Sequence, residues 1–175
     1  MDRPELTTST APRWLDDREQ ATWRGLLEMH ALLMAQLNRD LQEDSSISTA
    51  DFAVLVQLSE HEAGDMRVLE LARALRWEKS RLSHQLSRMT QRGLIARSEC
   101  QEDRRGAFVV LTQRGRETVE QAAPRHVEGV RRYLFDQLDD DQVGVLSDLC
   151  AAVTARLVEA GCPDSATECD AAAQA

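Results

Sequence analysis

Apolar residues recur three and four positions apart through most of the chain, and this spacing places them on one face of an α-helix. In the first long segment, Arg13–Gln42, the repeat runs from Trp23 to Leu41. Five later segments share the pattern: one from Ser48 to His61, Val68–Leu75, Glu78–Arg92, Thr112–Phe135 and Val143–Glu159. The sequence therefore predicts six helices. Pro124 is expected to kink or break the fifth of them.

Polar residues and glycine mark where these helices begin and end. Ser48 with Asp51 has the spacing of a capping box, and Thr112 is a good N-cap. The segment Asp139-Asp140-Asp141-Gln142 caps the last helix, and its acidic start complements the helix dipole. Gly93 stands where a helix ends in a left-handed residue. These signals predict short connections between the helices.

After Gly93, the spacing of apolar residues changes from the three- and four-residue repeat of a helix to the two-residue alternation of a strand. Leu94–Cys100 and Ala107–Leu111 alternate apolar and polar residues, and a polar loop that ends in glycine joins them. This pattern predicts a β-hairpin wing, to which Met66–Val68 can add a third short strand. The fold class is therefore mostly α with a small β-hairpin wing (α+β), a winged helix-turn-helix flanked by N- and C-terminal helices.

The helix at 78–92 carries two chemically different faces. Its buried stripe consists of Leu82, Leu86 and Met89. Its opposite face carries short polar side chains flanked by arginines: Ser80, Arg81, His84, Ser87, Arg88 and Gln91. Such side chains suit a helix that lies against base edges and phosphates. Within this face we expect His84 to contact DNA, Lys79 and Arg81 to reach phosphates, and Arg88 either to reach a phosphate or to pair with an acid.

The order of these elements and their residues resembles the MarR family of bacterial transcriptional regulators. The resemblance is carried by Leu-Ala-Arg-Ala-Leu at 71–75, Ser-Arg-Leu-Ser at 80–83, Arg-Gly-Leu-Ile at 92–95, Asp-Arg-Arg-Gly at 103–106 and Val-Leu-Thr-Gln-Arg-Gly at 110–115. The chain departs from the family pattern between the two central helices, where Arg76, Trp77 and Glu78 replace a small residue and a polar N-cap. Because Glu78 is a poor N-cap, the second of these helices is expected to start elsewhere or to be capped by Ser80.

The resemblance implies a DNA-binding homodimer, most simply a ligand-responsive repressor on a pseudo-palindromic operator. It implies that Arg105 enters the minor groove beside Arg104, and that Asp103 supports the wing by pairing with an arginine. The predicted DNA contacts on the helix are Lys79, Ser80, Arg81, Ser83, His84, Ser87 and Arg88. It also implies a small aromatic or phenolic effector, for which the candidate residues are Trp23, His30, Met34 and Trp77. Tryptophans at helical spacing, Trp14 included, are more often core residues.

The resemblance divides the chain into a flexible lead (1–12), an N-terminal dimerisation helix (13–48), the winged helix-turn-helix (49–115), C-terminal dimerisation helices (116–160) and a disordered tail (161–175). The first helix and the last two carry apolar stripes that the small DNA-binding module cannot cover alone. The spacing of apolar residues fits two ways of burying these stripes about equally well: a two-fold dimer and an intramolecular three-helix bundle. The resemblance favours the dimer, with both ends of the chain in its interface.

The net charge of −9 does not argue against DNA, because the charges are unevenly distributed. Residues 73–116 hold eleven basic and four acidic side chains, a local charge of +7, which leaves −16 for the remainder. Phosphate attraction depends on the local patch, since exposed charges beyond roughly 8–10 Å are largely screened. The distribution therefore supports DNA as a partner.

Other classes of protein receive little support from the 175 residues. No apolar run reaches about 18 residues and no signal peptide precedes the first helix, so a soluble cytoplasmic protein is expected. The four cysteines and four histidines are scattered, with no metal spacing, so neither a metal nor a cofactor is expected. The resemblance also offers redox sensing, but the peroxide-sensing members of the family place their reactive cysteine near the N-terminus, and this sequence has no cysteine before Cys100. No set of catalytic residues is present, so an enzyme is not expected, and the alternative is a protein-interaction module, such as an anti-repressor, with the same fold.

Overall fold

The computed structural model describes residues 12–61, 64–99 and 107–161. These residues form α1 (Asp17–Ser45), α2 (Thr49–Glu60), β1 (Asp65–Arg67), α3 (Val68–Leu75), α4 (Lys79–Gln91), β2 (Ile95–Glu99), β3 (Ala107–Leu111), α5 (Gln113–Tyr133), a 3-10 turn (Phe135–Gln137) and α6 (Asp140–Glu159). The predicted fold class, mostly helical with a small sheet, is confirmed. The first eleven residues of the predicted lead and the predicted tail from 162 onward lie outside the described residues.

The sheet is antiparallel, with strand order β1-β3-β2. Val109 of β3 stands opposite Met66 on one side and Arg97 on the other. The third strand that the sequence predicts is therefore present, one residue earlier than expected. Met66, Ile95 and Val109 are all buried, so one face of the sheet contributes to the core.

The core lies where α2, α3, α4 and α5 pack on this sheet. The predicted stripe of α4 is confirmed, because Leu82, Leu86 and Met89 are fully buried. In α2, Leu55 and Leu58 are buried, while Phe52 is partly exposed and packs against the cluster. Other members of this single cluster include Ile47, Val54, Leu71, Leu94 and Leu111.

Helix starts follow the capping signals in the sequence. The Asp51 N–H donates to the Ser48 hydroxyl at 3.1 Å and the Ser48 N–H donates to the Asp51 carboxylate at 2.9 Å, which completes the predicted capping box of α2. A second capping box joins Asp139 and Gln142. It starts α6 at Asp140, earlier than the predicted Val143, because the helix begins immediately after its N-cap residue.

Pro124 lies inside α5, and the helix continues through it from Gln113 to Tyr133. The predicted break at this residue is therefore wrong. Proline removes one backbone donor, but α5 is held on both sides of it. Val119 and Ala122 are buried before the proline and Gly129 is buried after it, where an added Cβ would lie 3.2 Å from Leu37 Cδ2. Packing at both ends keeps the two halves in one helix.

The chain divides into two compact units between Ala35 and Gln36, within α1. In the first unit Trp14 and Trp23 are 84% and 52% exposed. The expectation that these two tryptophans are core residues is therefore wrong for the single chain. In the second unit, α6 has no buried residue, and its stripe leaves Leu149, Val153 and Leu157 about half exposed. None of the described helices is long and apolar enough to cross a membrane.

Candidate nucleic-acid interface

The turn between α3 and α4 is made by a residue in an unusual conformation. Arg76 ends α3 with φ 53° and ψ 40°, the left-handed region that glycine normally occupies at a helix C-terminus. Its N–H donates to the Arg73 carbonyl, and the Trp77 N–H donates to the Ala72 carbonyl, both at 2.9 Å. These two bonds close α3 and turn the chain so that α4 can start after only three residues.

The start of α4 carries no side-chain cap. Glu78 holds the N-cap position and makes no capping hydrogen bond, and the helix begins at Lys79. The alternative start capped by Ser80 is therefore wrong. By helix geometry the N–H groups of residues 79–81 have no acceptor within the helix, and the positive end of its dipole lies there. This end of α4 is suited to a phosphate oxygen.

The face of α4 opposite the core is exposed. The structure brings together on it every predicted contact of this helix: Lys79, Ser80, Arg81, Ser83, His84, Ser87 and Arg88. The helix thus presents three cationic side chains and several hydroxyl or imidazole groups to solvent, while its apolar face is fixed in the core. We refer to α4 below as the recognition helix.

A buried polar network holds the inner side of the recognition helix. Gln85 is only 3% exposed, and its amide donates to Asp51 Oδ1 of α2 at 2.7 Å. Arg92, which follows the helix, donates to Asp51 Oδ2 at 2.8 Å and to the Ser46 carbonyl. Asp51 is itself 3% exposed, so its charge is balanced within the protein. One carboxylate therefore ties the middle and the end of the recognition helix to the start of α2.

Sequence reasoning missed this network. Gln85 stands three residues after Leu82 and four before Met89, so a polar residue within the apolar stripe was the available signal. The network also decides the position of Arg88, whose guanidinium donates to Gln85 Oε1. Arg88 therefore pairs with a neutral amide, and it reaches the acid Asp51 only through Gln85.

The wing is attached to the recognition helix through the middle of β2. Arg97 of β2 donates to the Ser83 carbonyl at 3.1 Å and lies 3.4 Å from the Ser87 hydroxyl. At the base of the hairpin, the Thr112 hydroxyl donates to the Leu94 carbonyl at 2.9 Å. The tip of the wing, with Asp103, Arg104 and Arg105, lies outside the described residues.

The effector candidates occupy different surroundings. Trp23, His30 and Met34 are exposed on α1. Trp77 is partly buried against the core cluster, and the guanidinium carbon of Arg81 lies 4.4 Å from the centre of its ring. Among the described residues no three histidine, cysteine, aspartate or glutamate side chains are grouped as a metal site would need.

Comparison with known proteins agrees with this geometry. The sequence model of the MarR family matches residues 47–106. The structure is similar to that of AbsC, a MarR family transcriptional regulator from Streptomyces coelicolor, with a TM-score of 0.79 and 42% identity over 85% of this chain and 99% of AbsC.

Two further structures are similar over most of the chain. Sco3205, a MarR family transcriptional regulator from Streptomyces coelicolor solved in complex with DNA, gives a TM-score of 0.80 and 36% identity over 85% of this chain and 93% of Sco3205. Wild-type MarR from E. coli, in its apo form, gives 0.61 and 26% identity over 75% of this chain and 94% of that protein.

Proposed function

The chain belongs to the MarR family of transcriptional regulators, and from this premise we propose that it is a ligand-responsive repressor that binds a pseudo-palindromic operator as a homodimer. Members of this family are DNA-binding regulators and not enzymes. The proposed features are the residues that contact DNA, the number of chains that bind the operator together, and the small molecule that releases them from it.

The exposed polar face of the recognition helix is the observation that carries this proposal. A helix that enters the major groove needs donors on one side and a rigid support on the other. The recognition helix has both, because Ser80, His84 and Ser87 face solvent while Gln85 and its apolar neighbours are fixed in the core. The solved DNA complex of Sco3205, at 36% identity, supports the same use of the fold here.

The wing supplies the second proposed contact. Arg105 would enter the minor groove next to the site of the recognition helix, with Arg104 beside it and Asp103 supporting the loop. The bond from Arg97 to the Ser83 carbonyl supports this part of the proposal, because it fixes β2 of the wing against the recognition helix. Narrow minor grooves concentrate negative potential, so an arginine there adds affinity that depends on DNA shape.

A homodimer accounts for the exposed apolar side chains near both ends of the chain. On α1 these include Trp23, Leu26 and Leu27, and on α6 they include Leu149 and Val153, all about half exposed. Soluble chains rarely leave such stripes open to water. Covering them with a second copy would also supply the second recognition helix that a two-fold operator requires.

An effector is the last part of the proposal. The exposed indole of Trp23, imidazole of His30 and thioether of Met34 offer stacking and hydrogen bonding to a small aromatic or phenolic molecule. Trp77 is a further candidate, although its ring is already in contact with Arg81. Binding of such a molecule would weaken DNA binding by favouring a different placement of the two recognition helices.

The direct test is DNA binding at several salt concentrations, using a duplex from upstream of the protein's own gene and a scrambled duplex. We expect tighter binding to the first and an affinity that falls steeply with salt. Arg105→Ala should weaken binding to both duplexes and reduce the salt slope by about one charge. A folded wild-type protein that binds neither duplex would instead favour the protein-interaction alternative.

A further inference from the structure

Arg81 differs from the neighbouring Arg88 and Arg92 in the contacts that fix its side chain. Arg88 donates to Gln85 and Arg92 donates to Asp51, so both serve the network that supports the recognition helix. Arg81 makes no hydrogen bond or salt bridge to another residue in the described part of the chain. Its guanidinium instead lies over the ring of Trp77, 4.4 Å from the centre.

Trp77 is a fixed support for this side chain. It precedes the recognition helix, packs against the buried core cluster, and its N–H is bonded to the Ala72 carbonyl at 2.9 Å. A guanidinium over an indole ring is attracted to the negative face of the ring by the cation–π interaction. Stacking uses the flat face of the guanidinium and leaves its N–H donors to other partners. The stack therefore fixes the direction of Arg81 without occupying its hydrogen-bonding capacity.

The place of Arg81 in the helix determines what those donors can reach. It is the third residue of the recognition helix, which begins at Lys79, and it is exposed. In helix-turn-helix proteins the N-terminal residues of the recognition helix contact base edges in the major groove. The base that best matches a planar pair of donors is guanine, whose O6 and N7 accept two hydrogen bonds from one arginine.

We propose that Arg81, held in place by Trp77, is a specificity-determining residue that reads one guanine in each half of the operator. This inference rests on the proposed function. It assigns to Arg81 a base contact in place of the phosphate contact that the sequence suggests. Trp77 acts as the positioning residue, since an arginine that is already directed loses less side-chain entropy on binding. Trp77 is one of the three residues, 76–78, that depart from the family pattern. It thereby helps to determine which DNA sequence the protein binds.

The test is selection of binding sites from a pool of randomised duplexes, carried out with the wild type, Arg81→Ala, Arg81→Lys, Trp77→Leu and Trp77→Phe. The wild type is expected to select a two-fold motif with one guanine in each half, preferred about 10-fold or more over other bases. In Arg81→Ala that preference should disappear while the remaining positions stay the same. Arg81→Lys should weaken it, because an ammonium group lacks the planar pair of donors.

The tryptophan variants separate positioning from folding. Trp77→Leu should reduce the guanine preference several-fold even though Arg81 is present, and Trp77→Phe should restore most of it because a ring remains under the guanidinium. Circular dichroism establishes that each variant is folded. If Trp77→Leu does not fold, Trp77→Met takes its place as a variant without a ring, and a full guanine preference in a folded variant of this kind would contradict the positioning role of Trp77.

Two other outcomes contradict different claims. If Arg81→Ala selects the wild-type motif and only lowers affinity and the salt slope, Arg81 is a phosphate contact and this inference is overturned. If the wild type enriches no sequence at all, the proposed function itself is contradicted.

Discussion

At the scale of single residues, Gly115 shows how a close approach restricts the sequence. It stands at the start of α5, where an added Cβ would lie 2.1 Å from the Leu94 carbonyl oxygen and 2.8 Å from Leu111 Cδ1. The first of these atoms is backbone and cannot rotate away. Because Gly115 has no Cβ, α5 can start directly beside the Leu94 carbonyl, to which the Thr112 hydroxyl also donates.

We expect Gly115→Ala to lower the free energy of unfolding by about 2–4 kcal/mol, because relieving the clash requires movement of β2 or α5. The matched control is Gly144→Ala in α6, where nothing lies within 4 Å of the added atom. That change should be neutral or raise stability by about 0.5–1 kcal/mol. Urea denaturation at one fixed protein concentration measures both. Equal effects of the two substitutions would show that the contact at Leu94 is not restrictive.

His126 links stability to pH. Its ring centre lies 4.5 Å from that of Phe52, and its buried Nδ1 has no hydrogen-bond partner among the residues that the structure describes. Burial lowers the pKa of His126 below the usual 6.5. The unfolded chain therefore takes up this proton more readily than the folded one. The resulting stability is fully present above pH 6.5 and is lost as the pH falls through that value towards the lowered pKa of the folded state.

His126→Phe should remove this contribution while preserving the ring contact with Phe52. Between pH 7 and about 5.5 the wild type is expected to lose more unfolding free energy than the variant, because only the wild type carries a histidine that resists protonation when folded. Thermal or urea unfolding at the two pH values provides the comparison. Parallel pH dependence in the two proteins would rule out a role for His126.

At the scale of elements, the periodicity of apolar residues predicts most of the fold. Although α6 begins at Asp140 and not at the predicted Val143, the bounds of α3 and β3 agree with the sequence, and the capping box of Ser48 and Asp51 places the start of α2. Local signals succeed there because each depends on residues only a few positions apart. The continuity of α5 through Pro124 was not predictable in this way, since it depends on Val119 and Gly129 packing on either side.

The polar network under the recognition helix was missed for the same physical reason. Gln85 and Asp51 are 34 residues apart, and neither residue alone indicates a partner. The exposure of the polar residues on the recognition helix was predictable because helical spacing alone separates them from the apolar stripe. Which arginine serves the network and which one is stacked on Trp77 depends on tertiary packing.

We expect Asp51→Ala to lower the free energy of unfolding by about 2–4 kcal/mol, since it leaves Gln85 buried without its acceptor, deprives Arg92 of its carboxylate, and removes half of a capping box. The matched control is Asp44→Ala, which breaks an exposed salt bridge to Arg125. Because both partners of that pair are largely solvated, its loss should cost less than about 1 kcal/mol. A small effect of Asp51→Ala in urea denaturation would mean that the network does not hold the recognition helix.

At the scale of the whole molecule, operator binding is predicted to depend on a dimer. Leu149→Glu places a charge on the exposed apolar stripe of α6 and should dissociate or unfold the protein and abolish operator binding, with every proposed DNA contact unchanged. Ser147→Glu, two residues earlier and on the opposite side of the helix by its spacing, is the matched control and should remain dimeric. Light scattering or sedimentation at micromolar concentration measures the mass. A wild-type species of 19.6 kDa, the mass of one chain, would contradict the dimer.

Charge distribution is a second property of the whole molecule. The +7 of residues 73–116 is set against −16 elsewhere in the chain. Because salt screens exposed charges beyond about 10 Å, the basic segment attracts DNA locally while the acidic remainder limits binding in other orientations. This arrangement favours sequence-specific sites over general attachment to nucleic acid.

The most direct test of the central claim is the sequence that the wild-type protein selects from a pool of randomised duplexes. A homodimer with two recognition helices predicts an inverted repeat whose half-sites are centred about 10 base pairs apart, one helical turn, on the same side of the duplex. A pool that shows no enrichment, or that yields a single half-site without a symmetric partner, would contradict the account.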